Sequence, residues 1–179
     1  MSAAIEDLKN DHEAILFALG ILESIGIKIS EGEKLIAADI LALIDFLREF
    51  ADTCHHGKEE EILFPALEVA GIPRDGGPIG VMLHEHELGR KYLRGMRAAA
   101  ESLFDQVTFM QNAAAYADLL RHHIEKENTV LFPMGERVLG EEAFDAIEAQ
   151  FQRHEEEVIG AGRHAELHAM LAEFGRRYL

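Results

Sequence analysis

The segment His55-His56-Gly57-Lys58-Glu59-Glu60-Glu61-Ile62-Leu63-Phe64-Pro65 recurs 68 residues later as His123-Ile124-Glu125-Lys126-Glu127-Asn128-Thr129-Val130-Leu131-Phe132-Pro133, with six of eleven positions identical. Each copy carries a histidine and a glutamate four residues apart. Imidazole nitrogen and carboxylate oxygen are the usual protein donors to divalent iron, manganese and zinc. Residues four apart on a helix lie one turn above each other on the same face. His55 with Glu59, and His123 with Glu127, can therefore address one metal centre shared between two halves of the chain.

A twin pattern, His56 with Glu60, is offset by one residue, and helical faces discriminate between the two. Stepping back from His55 meets Ala51, Leu47 and Ile44, an apolar track; stepping back from His56 meets Asp52, Thr53 and Glu49, a wet one. His123 likewise continues Tyr116, Leu119 and Leu120, whereas His122 continues Asp118. The expectation is that His55, Glu59, His123 and Glu127 face inward, and that His56 and His122 lie at the surface or behind the ligands.

Two such pairs supply too few donors to hold metal inside a bundle, so further imidazoles must come from the helices that precede each copy. His12 sits among Leu8, Ile15, Leu16 and Leu19 on one face. His86 sits with Ile79, Met82, Leu83 and Leu93, and Glu85-His86-Glu87 mirrors Asp11-His12-Glu13; this favours it over His84. The predicted metal set is His12, His55, Glu59, His86, His123 and Glu127. Four imidazoles and two carboxylates suit two ions bridged by both glutamates, with open positions for a small ligand. The pairing expected from sequence puts His12 with His123 at one ion and His55 with His86 at the other.

The elements that must position these residues read as helices. Ile5, Leu8, His12, Ile15, Leu16, Leu19 and Leu22 recur at three- and four-residue spacing, a helix ended by Gly26 to Gly32. A second helix runs from about 33 to 70, with a kink expected at Pro65. The segment Gly71-Ile72-Pro73-Arg74-Asp75-Gly76-Gly77-Pro78 is the clearest loop and divides the two copies. Helices from about 79 to 103 and 107 to 138 follow, the latter containing Pro133. Two more cover about 141 to 158 and the stretch from Gly162 to Tyr178. The fold expected is all-α: an up-down-up-down four-helix bundle over about 4–138, with C-terminal helices over about 141–178 on its outside or end. Residues 1–179 would form one domain.

Composition sets the context. With 33 acidic against 17 basic residues and a net charge of −16, nucleic acid and anionic membrane are not expected partners. A single cysteine, Cys54, excludes an internal disulfide and thiolate clusters. No signal-peptide pattern and no apolar run long enough to span a bilayer is present, so a cytoplasmic location is expected. E-x-x-H pairs, H-E-x-x-H and glycine-rich phosphate loops are all missing from the sequence.

The pattern H…H-x-x-x-E…H…H-x-x-x-E resembles the hemerythrin-like HHE proteins, including the di-iron proteins linked to iron–sulfur cluster repair. The matching residues are Asp11-His12-Glu13, His55 through Pro65, Glu85-His86-Glu87-Leu88-Gly89-Arg90, and His123 through Pro133. The resemblance implies a left-handed four-helix bundle around two carboxylate-bridged iron ions, although zinc or manganese would fit the same ligands. It also shows a departure from the animal oxygen carriers, which bear H-x-x-x-H on the third helix. Here the position four after His86 is Arg90. The site is thus expected to be more symmetric and poorer in nitrogen than theirs.

Near the site, Tyr116 is placed to meet a small ligand, Arg90 to hold a carboxylate, and Cys54 to be a buried, inert thiol. His154, His164 and His168 find no acidic partners at matching register and are not expected to bind metal. The expected function is a non-haem di-iron protein binding dioxygen, nitric oxide or peroxide, in stress response or iron handling. The alternatives are a di-iron enzyme that turns over peroxide or nitric oxide or aids iron–sulfur repair, and a metal-free helical interaction protein whose histidines are scattered. No output domain is expected within the chain.

Overall fold

A computed structural model of the chain describes residues 2–101 and 104–179. Among these the fold is all-α, and no strand forms. Helix α1 spans Ala3–Ser30 and is capped by Ser2, whose hydroxyl accepts from the Ile5 N–H at 3.3 Å. It runs through Gly26 and ends at Ser30, within the Gly26 to Gly32 stretch expected to end it. Glycine weakens a helix by only about 1 kcal/mol, and Ile25 and Ile29 on either side of that turn are both buried.

The second arm is helical without interruption from Ala37 to Val69, but it is not uniform. Helix α2 (Ala37–Phe46) passes into a π-helical stretch, Leu47–His56, then a π-helical turn, Glu59–Leu63, and then α3 (Phe64–Val69). The second copy of the repeat does the same: α5 (Gln106–Lys126), a π-helical turn at Glu127–Leu131, then α6 (Phe132–Val138). In both, an i→i+5 bond closes just before proline, with the Phe64 N–H reaching the Glu59 carbonyl and the Phe132 N–H reaching that of Glu127. Pro65 and Pro133 have no N–H, and their rings crowd the carbonyl a turn earlier. Widening that turn relieves the crowding without ending the helix. The disturbance expected at each proline is therefore a wide turn that begins at the candidate metal-binding glutamate.

Between the copies lies α4, Pro78–Glu101; the end expected for it at Leu103 lies outside the described residues. Helix α1 packs on α5 and on the Leu47–His56 stretch, and α4 packs on α5, on α2 and on that same stretch. The ring closes as a four-helix bundle.

Helices α7 (Glu141–His154) and α8 (Arg163–Tyr178) lie along the groove between the first two arms. Of the two places expected for the C-terminal helices, outside or end, α8 takes the outside and runs lengthwise beside α1. The Ser24 hydroxyl donates to the Tyr178 carbonyl at 2.6 Å, and at the other end of α8 His164 approaches Asp11. Gly175 makes this approach possible, since a Cβ there would stand 2.5 Å from the Phe17 ring. None of the described helices is long and apolar enough to cross a membrane.

The apolar core forms two clusters. One contains Ile15, Leu19, Leu47, Phe50, Tyr116 and Leu120; the other contains Ile5, Leu8, Leu63, Phe64, Phe132 and Phe151. His12 sits between Leu8 and Ile15, so a polar layer is sealed on both sides by packed hydrocarbon.

Candidate metal centre

All six predicted metal residues meet in that layer. His12, His55, Glu59, His86, His123 and Glu127 come from all four arms, and none is more than 1% exposed. Their donor atoms fall into two groups within 4.8 Å: His12, His55, Glu59 and Glu127 in one, and His56, Glu59, His86 and His123 in the other. Glu59 belongs to both. Glu127 also reaches both, with Oε2 3.1 Å from His12 Nε2 and Oε1 3.3 Å from His123 Nε2.

The histidine pairing expected from sequence is wrong. His12 lies beside His55, with ring centroids 4.7 Å apart, and His86 lies beside His123, their Nε2 atoms 3.1 Å apart. Each half of the repeat thus supplies both imidazoles of one group. The reason is topological: His12 and His55 sit on adjacent arms of one hairpin, and His86 and His123 on adjacent arms of the other.

Every one of these imidazoles is held from behind. Nδ1 of His55 contacts Asp11 at 3.2 Å, His86 contacts Glu60 at 2.6 Å, His123 contacts Glu85 at 3.0 Å, and His12 contacts Asn128 at 3.0 Å. An acceptor at Nδ1 fixes the proton there and turns the Nε2 lone pair toward the centre, the arrangement typical of metal-binding histidine. Arg90 reinforces this shell, donating at 2.8 Å to both Asp52 and Glu60. Arg90 therefore holds carboxylates, as expected, but ones that carry imidazoles rather than candidate ligands.

The inward atoms tell the same story. His55 Nε2, both Glu59 oxygens and Glu127 Oε1 are buried without a hydrogen-bond partner. Buried polar atoms left unpaired are costly, and a cation between them removes that cost. Burial alone would lower the pKa of His86, but the Glu59 and Glu60 carboxylates outweigh it and raise the value to about 9. His12 is raised in the same way by Glu127, against its burial. Burial would raise the pKa of Glu127, yet the surrounding imidazoles bring it well below the usual carboxylate range. The layer thus holds anionic oxygen and titratable nitrogen whose protons a metal would displace. The donor set fits a pair of divalent ions.

Several participants escaped the sequence reading. His56 is buried, not at the surface, and stacks on His86 with centroids 3.8 Å apart. The carboxylates behind the imidazoles were legible only as repeated Asp11-His12 and Glu85-His86 pairs. Lys58, fully buried, binds Asp11. Other expectations hold: His84 and His122 are exposed. Cys54 is buried, with its thiol pKa pushed up to about 12 by burial. His154 Nε2 donates to the Thr53 carbonyl, 3.3 Å away, and neither His154, His164 nor His168 joins a metal group among the described residues.

Comparison with known proteins agrees with the geometry. The family model for the Hemerythrin HHE cation binding domain matches residues 3–135. An uncharacterized protein of Mycobacterium bovis is 30% identical over 169 residues, covering 88% of this chain and 63% of that protein. An iron-sulfur cluster repair protein of Edwardsiella ictaluri is 35% identical over 105 residues, 55% of this chain and 46% of that protein. Its counterpart in Dickeya chrysanthemi is 37% identical over 92 residues, 45% of this chain and 40% of that protein. The chain thus spans less than two thirds of the length of these relatives. No solved structure matches.

Proposed function

This chain belongs to the hemerythrin HHE cation-binding family, and from that premise we propose that residues 1–179 act as one domain holding two iron ions. The ligands would be His12, His55, Glu59, His86, His123 and Glu127, with Glu59 and Glu127 each placed to serve both ions, and the exogenous ligand would be dioxygen, nitric oxide or peroxide. Iron would supply reversible redox change and open coordination positions; zinc or manganese would fit the same donors without identical chemistry.

One observation carries the proposal: two groups of imidazole and carboxylate share Glu59 in a sealed layer, with inward atoms that lack partners. The chain's own residues do the rest. Asp11, Glu60, Glu85 and Asn128 keep each Nε2 turned inward. The two apolar clusters exclude water and any bulky substrate. A ligand of two or three atoms suits such a site. The net charge of −16 supports a partner that is neither nucleic acid nor an anionic membrane. A metal-free helical protein would scatter its histidines, and here they converge.

The named repair relatives favour a second reading, a di-iron protein that aids iron–sulfur cluster repair in oxidative or nitrosative stress. Metal analysis of purified protein tests the centre itself, with two iron ions per chain and the optical spectrum of a coupled ferric pair expected. Metal-free protein whose stability ignores chelators would refute both readings. A stable adduct without turnover would support a sensor or store; steady consumption of peroxide or nitric oxide would support an enzyme.

A further inference from the structure

We propose that His56 is a fifth imidazole ligand of this centre, binding the ion held by His86 and His123. The inference rests on the two-ion reading of the same site and extends its donor set.

The two halves of the chain provide their own control. In the repeat register His55 matches His123, and Asp52 matches Leu120 and His56 matches Ile124; with His86 set against His12, Arg90 matches Leu16. Ile124 and Leu120 are buried at 3% and 1% exposure, and Leu16 packs against the same apolar cluster. The seam between α1 and α5 therefore fills these three positions with hydrocarbon. The matching seam, between the Leu47–His56 stretch and α4, places an imidazole, a carboxylate and a guanidinium there. Polar groups in a packed interior cost free energy unless all their hydrogen bonds are met.

The trio satisfies all but one of its inward-facing groups. Arg90 Nε donates to Asp52 Oδ1 at 2.8 Å, and the same oxygen stands 3.4 Å from His56 Nδ1. The atom left over is His56 Nε2, fully buried and without a partner. It lies in the group with Glu59, His86 and His123, whose donor atoms are all within 4.8 Å of one another. His56 thus has what the four predicted histidines have: an acceptor behind Nδ1 and an Nε2 at the centre. Arg90 ties the two supports together, since it also donates to Glu60, the acceptor behind His86. The His56 and His86 rings are stacked, 3.8 Å apart and 13° from parallel, so His56 must turn out of the stack for both Nε2 lone pairs to reach one ion. A core imidazole retained only for packing would need the carboxylate at Nδ1 but would also pair its Nε2, which here has no partner.

The centre is then unsymmetrical, with three imidazoles on one side and His12 and His55 alone on the other. His56→Phe tests this, because it keeps a stacked ring and removes only the nitrogens. Wild-type and variant protein are loaded anaerobically with ferrous iron and then analysed for metal content, Mössbauer spectrum and X-ray absorption. In the wild type we expect an average nearer about 2.5 imidazoles per ion than about 2. In the variant we expect one ion lost, or held at least roughly tenfold more weakly, with one of two iron signals changed. A variant that retains both ions with wild-type spectra overturns the proposal. Should the phenylalanine protein not fold, Asp52→Ala leaves the ring in place and removes the acceptor behind Nδ1; a shift in the same single iron signal sustains the proposal, and unchanged spectra overturn it. Wild-type protein that never binds two ions would instead overturn the parent reading, whatever His56 does.

Discussion

Lys58 and Lys126 stand at the same point of the two repeat copies, and each grips the acid that steadies its own copy's histidine. Lys58 Nζ lies 2.7 Å from Asp11 Oδ2, and Asp11 accepts from His55 Nδ1. Lys126 pairs with Glu85, and Glu85 accepts from His123 Nδ1. The two relays differ in burial: the Lys58 side chain is 0% exposed and that of Lys126 is 40% exposed. Lys58 also binds Asp7 and, from beyond α7, Glu155 at 2.8 Å. The C-terminal helices therefore touch the metal layer through one buried ammonium.

That difference predicts unequal costs. Lys58→Met should destabilise the protein by about 3–5 kcal/mol, because it leaves buried carboxylates unpaired. Lys126→Met should cost less than about 1 kcal/mol, as solvent-screened pairs do. Both should weaken metal binding by about 10- to 100-fold through the histidine each relay supports. Urea unfolding of the metal-free proteins and competition with a chelator measure the two effects separately. Equal stability losses would contradict the structural assignment of Lys58.

Glu59→Gln should separate stability from function. Both Glu59 oxygens are buried without a hydrogen-bond partner, and Oε2 faces His86 Nε2 at 3.4 Å, so once His86 loses its proton, above about pH 9, the carboxylate of metal-free protein is a burden on the fold. At that pH a neutral amide should raise the melting temperature measured in chelator. The same change removes the shared donor of both groups and should reduce bound metal from two ions to one or none. A variant that is less stable without metal, or that still binds two ions, would refute the role given to Glu59.

Much of this site could be read in the sequence because helical periodicity is reliable where the helix is regular. His12, His86 and His123 lie on α-helical segments, and the face that buries them is the one their neighbours mark. His56 is not at the surface, one of the two places expected of it, because it ends a π-helical stretch, Leu47–His56. A turn closed by i→i+5 bonds holds more residues than an α-turn, so consecutive side chains diverge less and both His55 and His56 turn inward. Counting back by three and four assigned His56 to a solvated track that the real helix does not follow. The histidine pairing failed for another reason: a repeat says which residues correspond, not which arms become neighbours. The position of α8 beside α1 depends on Gly175 admitting the Phe17 ring, a contact that periodicity cannot foresee.

The metal-free site should titrate in a defined direction. His86 is raised from 6.5 to about 9: burial lowers its pKa, and Glu59 and Glu60 more than reverse that. Below pH 6.5 the imidazole is protonated in folded and unfolded chains alike, and the stability gained from its carboxylate partners is fully present. As pH climbs through about 9 the folded state loses that proton and that stability, on the order of 3 kcal/mol. Metal binding runs the other way, since it needs the free nitrogen. Over the same interval the melting temperature in chelator should fall while apparent metal affinity rises, with proton release on loading. A flat stability profile from pH 6.5 to 9 would exclude this assignment for His86.

Tyr116 offers the last test, and it concerns the small ligand rather than the metal. Its hydroxyl is buried without a partner, and burial pushes its pKa far above the ordinary value, so it remains a donor at any working pH. The ring enters beside Gly89, where a Cβ would stand only 3.5 Å from it, between the turn after His86 and the turns before His123. Tyr116→Phe removes an unsatisfied group, so stability should be unchanged or slightly higher. If the hydroxyl donates to the exogenous ligand, the variant should bind nitric oxide or azide roughly tenfold more weakly, the worth of one hydrogen bond. Titration of the iron-loaded proteins by optical spectroscopy decides it. Unaltered ligand affinity together with unaltered stability would make Tyr116 a packing residue with an idle hydroxyl.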